Sequence, residues 1–274
     1  MSAKNPALIS VAELAAHIHQ VDMVVVDCRF SLADTALGEQ QYRDSHIPSA
    51  QYFHLDRDMS GPKHRHGGRH PLPDPHQFSE HLRAIGVNSD SLVVCYDDQR
   101  FAFASRLWWL MRWLGHDNVR VLDGGFKAWQ AAGLPIETSI NQVNLGNFMA
   151  KDIRRNVVEY SDLPNLQILS HQSLIDSREA PRYRGEQEPI DPLAGHIPGA
   201  INMPWAEVTT VDGFALDERT QRQRWGEIAG QNDIIVYCGS GVTACVNLLS
   251  LAIIGRDDAK LYAGSWSDWC SYVV

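Results

Sequence analysis

The chain has 274 residues, a formal net charge of −9, and a composition that is 44% hydrophobic and 21% charged. These values fit a soluble globular protein with a full core, and the length suits two domains of about 130 residues each. The acidic balance argues against nucleic acid as a partner, because phosphate binding rests on clustered Lys and Arg, and no stretch approaches the roughly 20 apolar residues of a membrane span.

The start of the chain is broken by acidic and polar residues and does not read as a secretory signal, so a cytoplasmic location is expected. In chain order, Val24 to Arg29 reads as a strand. A Tyr42-to-Ala50 block containing His46-Ile47-Pro48 follows, then a strand from Leu92 to Asp97. Trp108, Trp109 and Trp113 fall at helical spacing and are expected in the core or at a domain interface. Val121 to Trp129 closes the first half with Leu122-Asp123-Gly124-Gly125. Residues 138–147 are polar and aperiodic and read as linker. The second half repeats the blocks in the same order: Leu174 to Arg178, Gly195 to Ala200 with His196-Ile197-Pro198, Ile234 to Cys238, and Leu261 to Trp266. Strands alternating with helices imply parallel sheet, here twice over. The expected division is residues 1–137, a linker at 138–155, and residues 156–274.

The repeat singles out one thiol. Five cysteines (28, 95, 238, 245 and 270) make an odd count without paired spacing, so free thiols are expected. Four read as buried packing residues, with Cys245 placed two turns into a helix. Cys238 ends a strand whose sister ends on Asp97, so chemistry at this point would belong to the second half alone. The loop Cys238-Gly239-Ser240-Gly241-Val242-Thr243 lies between an apolar strand and a helical pattern. Such a loop can turn successive N–H groups inward, and the helix dipole adds to the field, so a thiolate or persulfide is favoured there. A cysteine phosphatase needs an arginine six residues after its nucleophile; that position is Ala244, which disfavours phosphate chemistry.

Taken together, the loop, the paired His-Ile-Pro blocks and the Gly-Gly and Gly-Ser-Trp blocks resemble two-domain rhodanese-family sulfurtransferases, and the loop is most similar to that of 3-mercaptopyruvate sulfurtransferases. The resemblance covers nearly the whole chain. It implies an α/β fold of two tandem rhodanese-like domains, each a parallel β-sheet flanked by helices, with only the second catalytic. It places the nucleophile on Cys238, a proton relay on Ser240, His70 and Asp56 (with Asp58 as the alternative alignment), and donor binding on Arg182, with Arg184 as a nearby candidate. Gly239, Gly241, Val242 and Thr243 would supply the loop N–H groups. A second arginine is expected nine residues after Arg182, and Asp191 stands there instead, which puts the preference for mercaptopyruvate in question.

The stretch Lys63 to His70 is locally basic and suits a loop that attracts an anionic substrate, with Arg69 able to line the site. Metal ligation by His64, His66 and His70 is disfavoured, because no Cys or carboxylate spacing accompanies them. No metal is expected, and no cofactor, since neither a P-loop nor a dinucleotide fingerprint is present. The expected partners are a small anionic sulfur donor and a thiol, thioredoxin-like or cyanide acceptor. Two alternatives stay open: thiosulfate as the donor, and a non-catalytic module that relays or binds persulfide.

Overall fold

The computed structural model describes residues 7–20, 22–151, 153–163 and 172–274. The chain divides into two compact units that do not follow chain order strictly. One takes the chain up to Ser60, Pro73–Arg154 and Thr210–Ala215; the other takes Gly61–Leu72, Arg155–Thr209 and Leu216–Val274.

The first unit contains strands β1 (Leu8–Ile9), β2 (Met23–Asp27), β3 (Gln51–Tyr52), β4 (Leu92–Tyr96) and β5 (Val119–Leu122). Its helices are α1 (Val11–His17), α2 (Leu37–Asp44), α3 (Leu55–Asp58), α4 (Pro75–Ala84), α5 (Ala104–Trp113) and α6 (Gly125–Ala131). All strand pairs are parallel, in the order β1-β5-β4-β2-β3. The second unit contains β6 (Val157–Val158), β7 (Gln172–Asp176), β8 (Ile201–Asn202), β9 (Asp233–Tyr237) and β10 (Lys260–Tyr262). Its helices are α7 (Ala180–Tyr183), α8 (Glu218–Trp225), α9 (Ala244–Ile253) and α10 (Ser265–Val273). Its sheet is again all parallel, and its order β6-β10-β9-β7-β8 reproduces the first with each strand shifted by five. Two five-stranded parallel sheets flanked by helices are therefore the architecture that the repeated blocks imply.

The central strands are short apolar runs because helices cover both faces of a parallel sheet. Val25, Val26, Val93 and Val94 are buried in one unit, Ile234, Ile235 and Val236 in the other. The repeated motifs brace these sheets in the same way. Arg29 binds Asp27 at 2.6 Å, donates to Ser45 O at 2.6 Å and lies 4.2 Å over the Phe126 ring. Arg178 binds Asp176 at 2.7 Å, donates to Gly195 O at 2.6 Å and lies 4.7 Å over Trp266. The isoleucine of each His-Ile-Pro block donates its N–H to a buried tyrosine hydroxyl, Ile47 to Tyr96 at 3.2 Å and Ile197 to Tyr237 at 3.1 Å. These buried pairs satisfy each other's charges and hydrogen bonds, the condition for ionic groups to sit in a core. Trp108, Trp109 and Trp113 are buried on α5, with the last two stacked at 6.0 Å.

Candidate active site

β9 delivers Cys238 into the loop 238–243, and α9 starts at Ala244. Gly241 has φ +77°, and a Cβ there would collide with the backbone oxygen of Ala263, so only glycine suits this turn. Cys238 is buried, as are Ser240, Gly241 and Val242. Cys245 differs from expectation. Because α9 begins immediately after Thr243, Cys245 lies in its first turn, fully buried, with its Sγ–H donating to Gly241 O at 3.5 Å. It packs the loop against its own helix. The carbonyls of Val242 and Thr243 accept the N–H groups of Cys245 and Val246, both at 3.1 Å, which starts the helix directly on the loop.

The turn between β10 and α10 pins Cys238 from outside. Cys238 N–H donates to Ser265 Oγ at 3.1 Å, and Ser265 Oγ–H donates to Tyr262 O at 2.9 Å. Trp266 N–H and Ser267 N–H donate to the carbonyls of Cys238 and Gly239 at 3.0 and 2.9 Å. Ser265 has φ +57°, a left-handed conformation costly for a serine, whereas its counterpart in the first unit is Gly125 at φ +58°. Sequence reasoning missed Ser265. The signal available was the serine standing against Gly125 in the aligned Gly-Gly and Gly-Ser blocks.

The strap Gly61–Leu72 packs within the same unit as Cys238. Three residues of α10 hold it: Gly67 N–H donates to Asp268 Oδ1 at 2.6 Å, Arg69 N–H to Ser267 Oγ at 3.1 Å, and His66 Nδ1 is 2.8 Å from Ser271 Oγ. This anchoring sets His70 beside the loop, where His70 Nδ1 and Ser240 Oγ share a buried 2.7 Å hydrogen bond. Two of the three expected relay residues, separated by 170 positions, are thus brought together. His66 and His70 are turned to different partners.

Two arginines face the start of the loop. A Cβ placed on Gly239 would lie 2.9 Å from Arg69 Nη2 and 3.5 Å from Arg182 Nη1. Asp191 is buried between these arginines, pairing with Arg69 Nη1 through Oδ1 and with Arg182 Nη2 through Oδ2 at 3.2 Å. Burial pushes the Asp191 carboxyl up from its ordinary value, Arg69 pulls it down, and Glu188 adds to the rise. Glu188 binds Arg182 at 2.6 Å and Arg178 at 3.2 Å. Although burial opposes it, Arg182 holds the Glu188 carboxyl below its ordinary range. Arg184 points elsewhere: it is exposed and pairs with Glu186 at 2.6 Å. Asp56 belongs to the first unit, in the first turn of α3, with its N–H donating to His54 Nδ1 at 3.1 Å. Asp58, the neighbouring alternative, closes the same turn by accepting His54 N–H at 2.7 Å.

The sister loop in the first unit is organised around a carboxylate. Asp97 accepts N–H bonds from Gln99 (2.8 Å), Phe101 (3.1 Å), Phe103 (2.9 Å) and Ala104 (2.8 Å). Burial pushes this carboxyl up from its ordinary value while the N–H groups of Ala104 and Phe103 pull it down. The fold thus carries the same strand–loop–helix twice, and only one copy holds a thiol at its head.

Known proteins share this architecture. The rhodanese-like domain matches residues 10–132 and again 160–272. A Pseudomonas aeruginosa protein named for 3-mercaptopyruvate sulfurtransferase activity is 43% identical over 268 residues, covering 96% of this chain and 94% of its own. A Mycobacterium tuberculosis protein named for thiosulfate sulfurtransferase activity is 38% identical over 283 residues, covering 99% and 96%. The solved structure of an Escherichia coli 3-mercaptopyruvate sulfotransferase superposes with TM-score 0.82 at 32% identity, over 95% of this chain and 98% of that one. With the domain matched twice, in the order and over the lengths that the two sheets display, the chain belongs to the rhodanese family.

Proposed function

We propose that this protein is a sulfurtransferase that takes sulfane sulfur from 3-mercaptopyruvate and passes it on through a persulfide on Cys238. The observation that carries the reading is the convergence on one loop of a strand-end thiol, the His70–Ser240 hydrogen bond, and two guanidiniums facing Gly239. The Cys238 thiolate attacks the donor sulfur. An S–S bond forms, the donor's C–S bond breaks, and the electron pair leaves on carbon as the enolate of pyruvate. That carbon needs a proton, which Ser240 and His70 are placed to relay, with Asp56 as the third member in this reading. N–H groups of Gly239, Gly241, Val242 and Thr243 would steady the persulfide. A thiol, a thioredoxin-like protein or cyanide then attacks the outer sulfur and restores Cys238. Arg182 and Arg69 hold the donor's anionic end; Arg184 is the outer candidate for that role. The functional division is read as residues 1–137 and 156–274, joined by 138–155. Five free cysteines suit a reducing, cytoplasmic setting.

Thiosulfate is the second reading. A pair of arginines suits any small oxyanion, the expected second donor arginine is Asp191, and the Mycobacterium tuberculosis relative is named for that donor. Comparing kcat/KM for the two donors, in wild type and in Asp191→Arg, decides between them; a strong thiosulfate preference in wild type removes mercaptopyruvate. Mass spectrometry after donor treatment tests the enzyme reading itself. One added sulfur atom on Cys238 is expected; no added sulfur on Cys238, with activity surviving Cys238→Ser, would remove this enzyme reading.

A further inference from the structure

Resting on that sulfurtransferase reading, we propose that Asp191 is a positioning residue for the sulfur donor. It bridges Arg182 of α7 to Arg69 of the strap, and so builds the donor's anion site from guanidiniums of two separate segments. The donor class this fits is a small anion with two oxygens on one centre, a carboxylate or a thiosulfonate, each oxygen meeting one arginine.

The division of nitrogens supports this role. Asp191 binds Arg69 through Nη1 and Arg182 through Nη2. Glu188 takes Nη2 and Nε of Arg182, at 2.6 and 3.3 Å. The nitrogens nearest a Cβ placed on Gly239 are Arg69 Nη2 at 2.9 Å, then Arg182 Nη1 at 3.5 Å and Nη2 at 3.7 Å. The two carboxylates thus bind other nitrogens than Arg69 Nη2 and Arg182 Nη1, the two that lie nearest the residue after Cys238. Two guanidiniums this close repel each other, and a buried carboxylate between them offsets that repulsion while no donor is bound. Asp191 is the fixed member of the set. Its side chain is 3% exposed and its N–H donates to Glu188 Oε1 at 3.0 Å, whereas the Arg69 side chain is 27% exposed. Without the bridge, Arg69 regains its rotamer freedom. The strap itself stays tied through Arg69 N–H to Ser267, so a substitution at Asp191 addresses the side chain rather than the strap.

The opposite sign is also physical: Asp191 would compete with the donor for both guanidiniums, and its removal would tighten binding. Steady-state kinetics with 3-mercaptopyruvate and with thiosulfate separate the two. In Asp191→Ala and in Arg69→Ala, KM should rise roughly tenfold with kcat within about twofold of wild type. The double variant should be no worse than either single one, since Asp191 acts through Arg69. Asp191→Asn, which keeps the shape and one acceptor oxygen, should show a smaller rise; if Asp191→Ala does not fold, the direction of KM in Asp191→Asn decides. A fall in KM, or additive losses in the double variant, overturns the proposal. Calorimetric titration of thiosulfate into Cys238→Ser protein reads the same site without turnover: about tenfold weaker binding on adding Asp191→Ala is expected, and unchanged or tighter binding overturns it. Failure of the sulfurtransferase reading has its own signature, no sulfur on wild-type Cys238 after either donor.

Discussion

The two loops that follow β4 and β9 start from the same plan and end with opposite contents. In the first unit, Asp97 heads the loop and four backbone N–H groups close on its carboxylate. In the second, Cys238 heads a loop one residue shorter, and a serine from outside, Ser265, fixes its N–H. A turn rich in N–H groups at a helix start is an anion site by geometry. The first unit fills that site with its own side chain, which stabilises the fold and leaves nothing for a substrate. The second places a thiol at the same point. What separates the two units is thus the residue that heads the loop, while the sheet, the braces and the helix after the loop are common property.

The contrast can be broken by exchanging the heads. Cys238→Ser should lower sulfur transfer by on the order of 10⁴-fold, because the covalent route is lost, and Asp97→Cys should gain no sulfur on mass spectrometry, since the His70–Ser240 pair stays with the other loop. Next in size is the relay. His70→Asn should reduce kcat with 3-mercaptopyruvate by roughly 10³-fold, the range of general acid–base catalysis. The same variant should lose far less with thiosulfate, because sulfite leaves as a stable anion that needs no proton on carbon; equal losses with both donors would contradict the relay. Asp97→Ala should destabilise the first unit by about 3 kcal/mol in denaturant unfolding, as buried N–H groups lose their shared acceptor. Smaller still is Ser265→Gly. It should relieve the φ +57° backbone yet release Cys238 N–H, giving little change in stability and a loss in kcat/KM of about tenfold.

The smallest effect sharpens the comparison through pH. His116 follows Gly115 in the first unit as Arg256 follows Gly255 in the second. Burial holds the His116 imidazole below its ordinary value of 6.5, and its Nε2 lies 2.9 Å from Ser91 O. A depressed value means that the unfolded chain takes the proton first. The stability His116 contributes is therefore complete above about pH 6.5 and is lost as pH falls below it toward the folded value. Urea midpoints at about pH 7.5 and 5.5 should differ more in wild type than in His116→Gln. Arg256 stays charged throughout and gives the second unit no such term.

Much of the site was readable from local pattern. Val-Val-Val and Ile-Ile-Val runs mark buried parallel strands, Gly241 marks a turn that only glycine tolerates, and the preserved order of four blocks sets Cys238 against Asp97. Those features depend on near neighbours in the chain. Cys245 was misplaced by a helical turn because nothing local announces where α9 starts: Thr243 makes no side-chain cap. Arg184 was a reasonable companion to Arg182 on proximity alone, but side chains two apart on one turn point to different sides, and it pairs with Glu186.

The amino-acid sequence by itself therefore determined the doubled α/β plan, the strand-to-helix loop and the single thiol at its head, because periodicity, glycine and block order are properties of neighbouring residues. Tertiary structure alone decided that a strap from the first half packs with the second, that His70 reaches Ser240, that Ser265 fastens Cys238, and that Asp191 gathers Arg69 toward Arg182. The physical reason is distance along the chain. Arg69 and Asp191 are 122 positions apart, and only burial in a folded unit, where each charge must find a partner, brings them together.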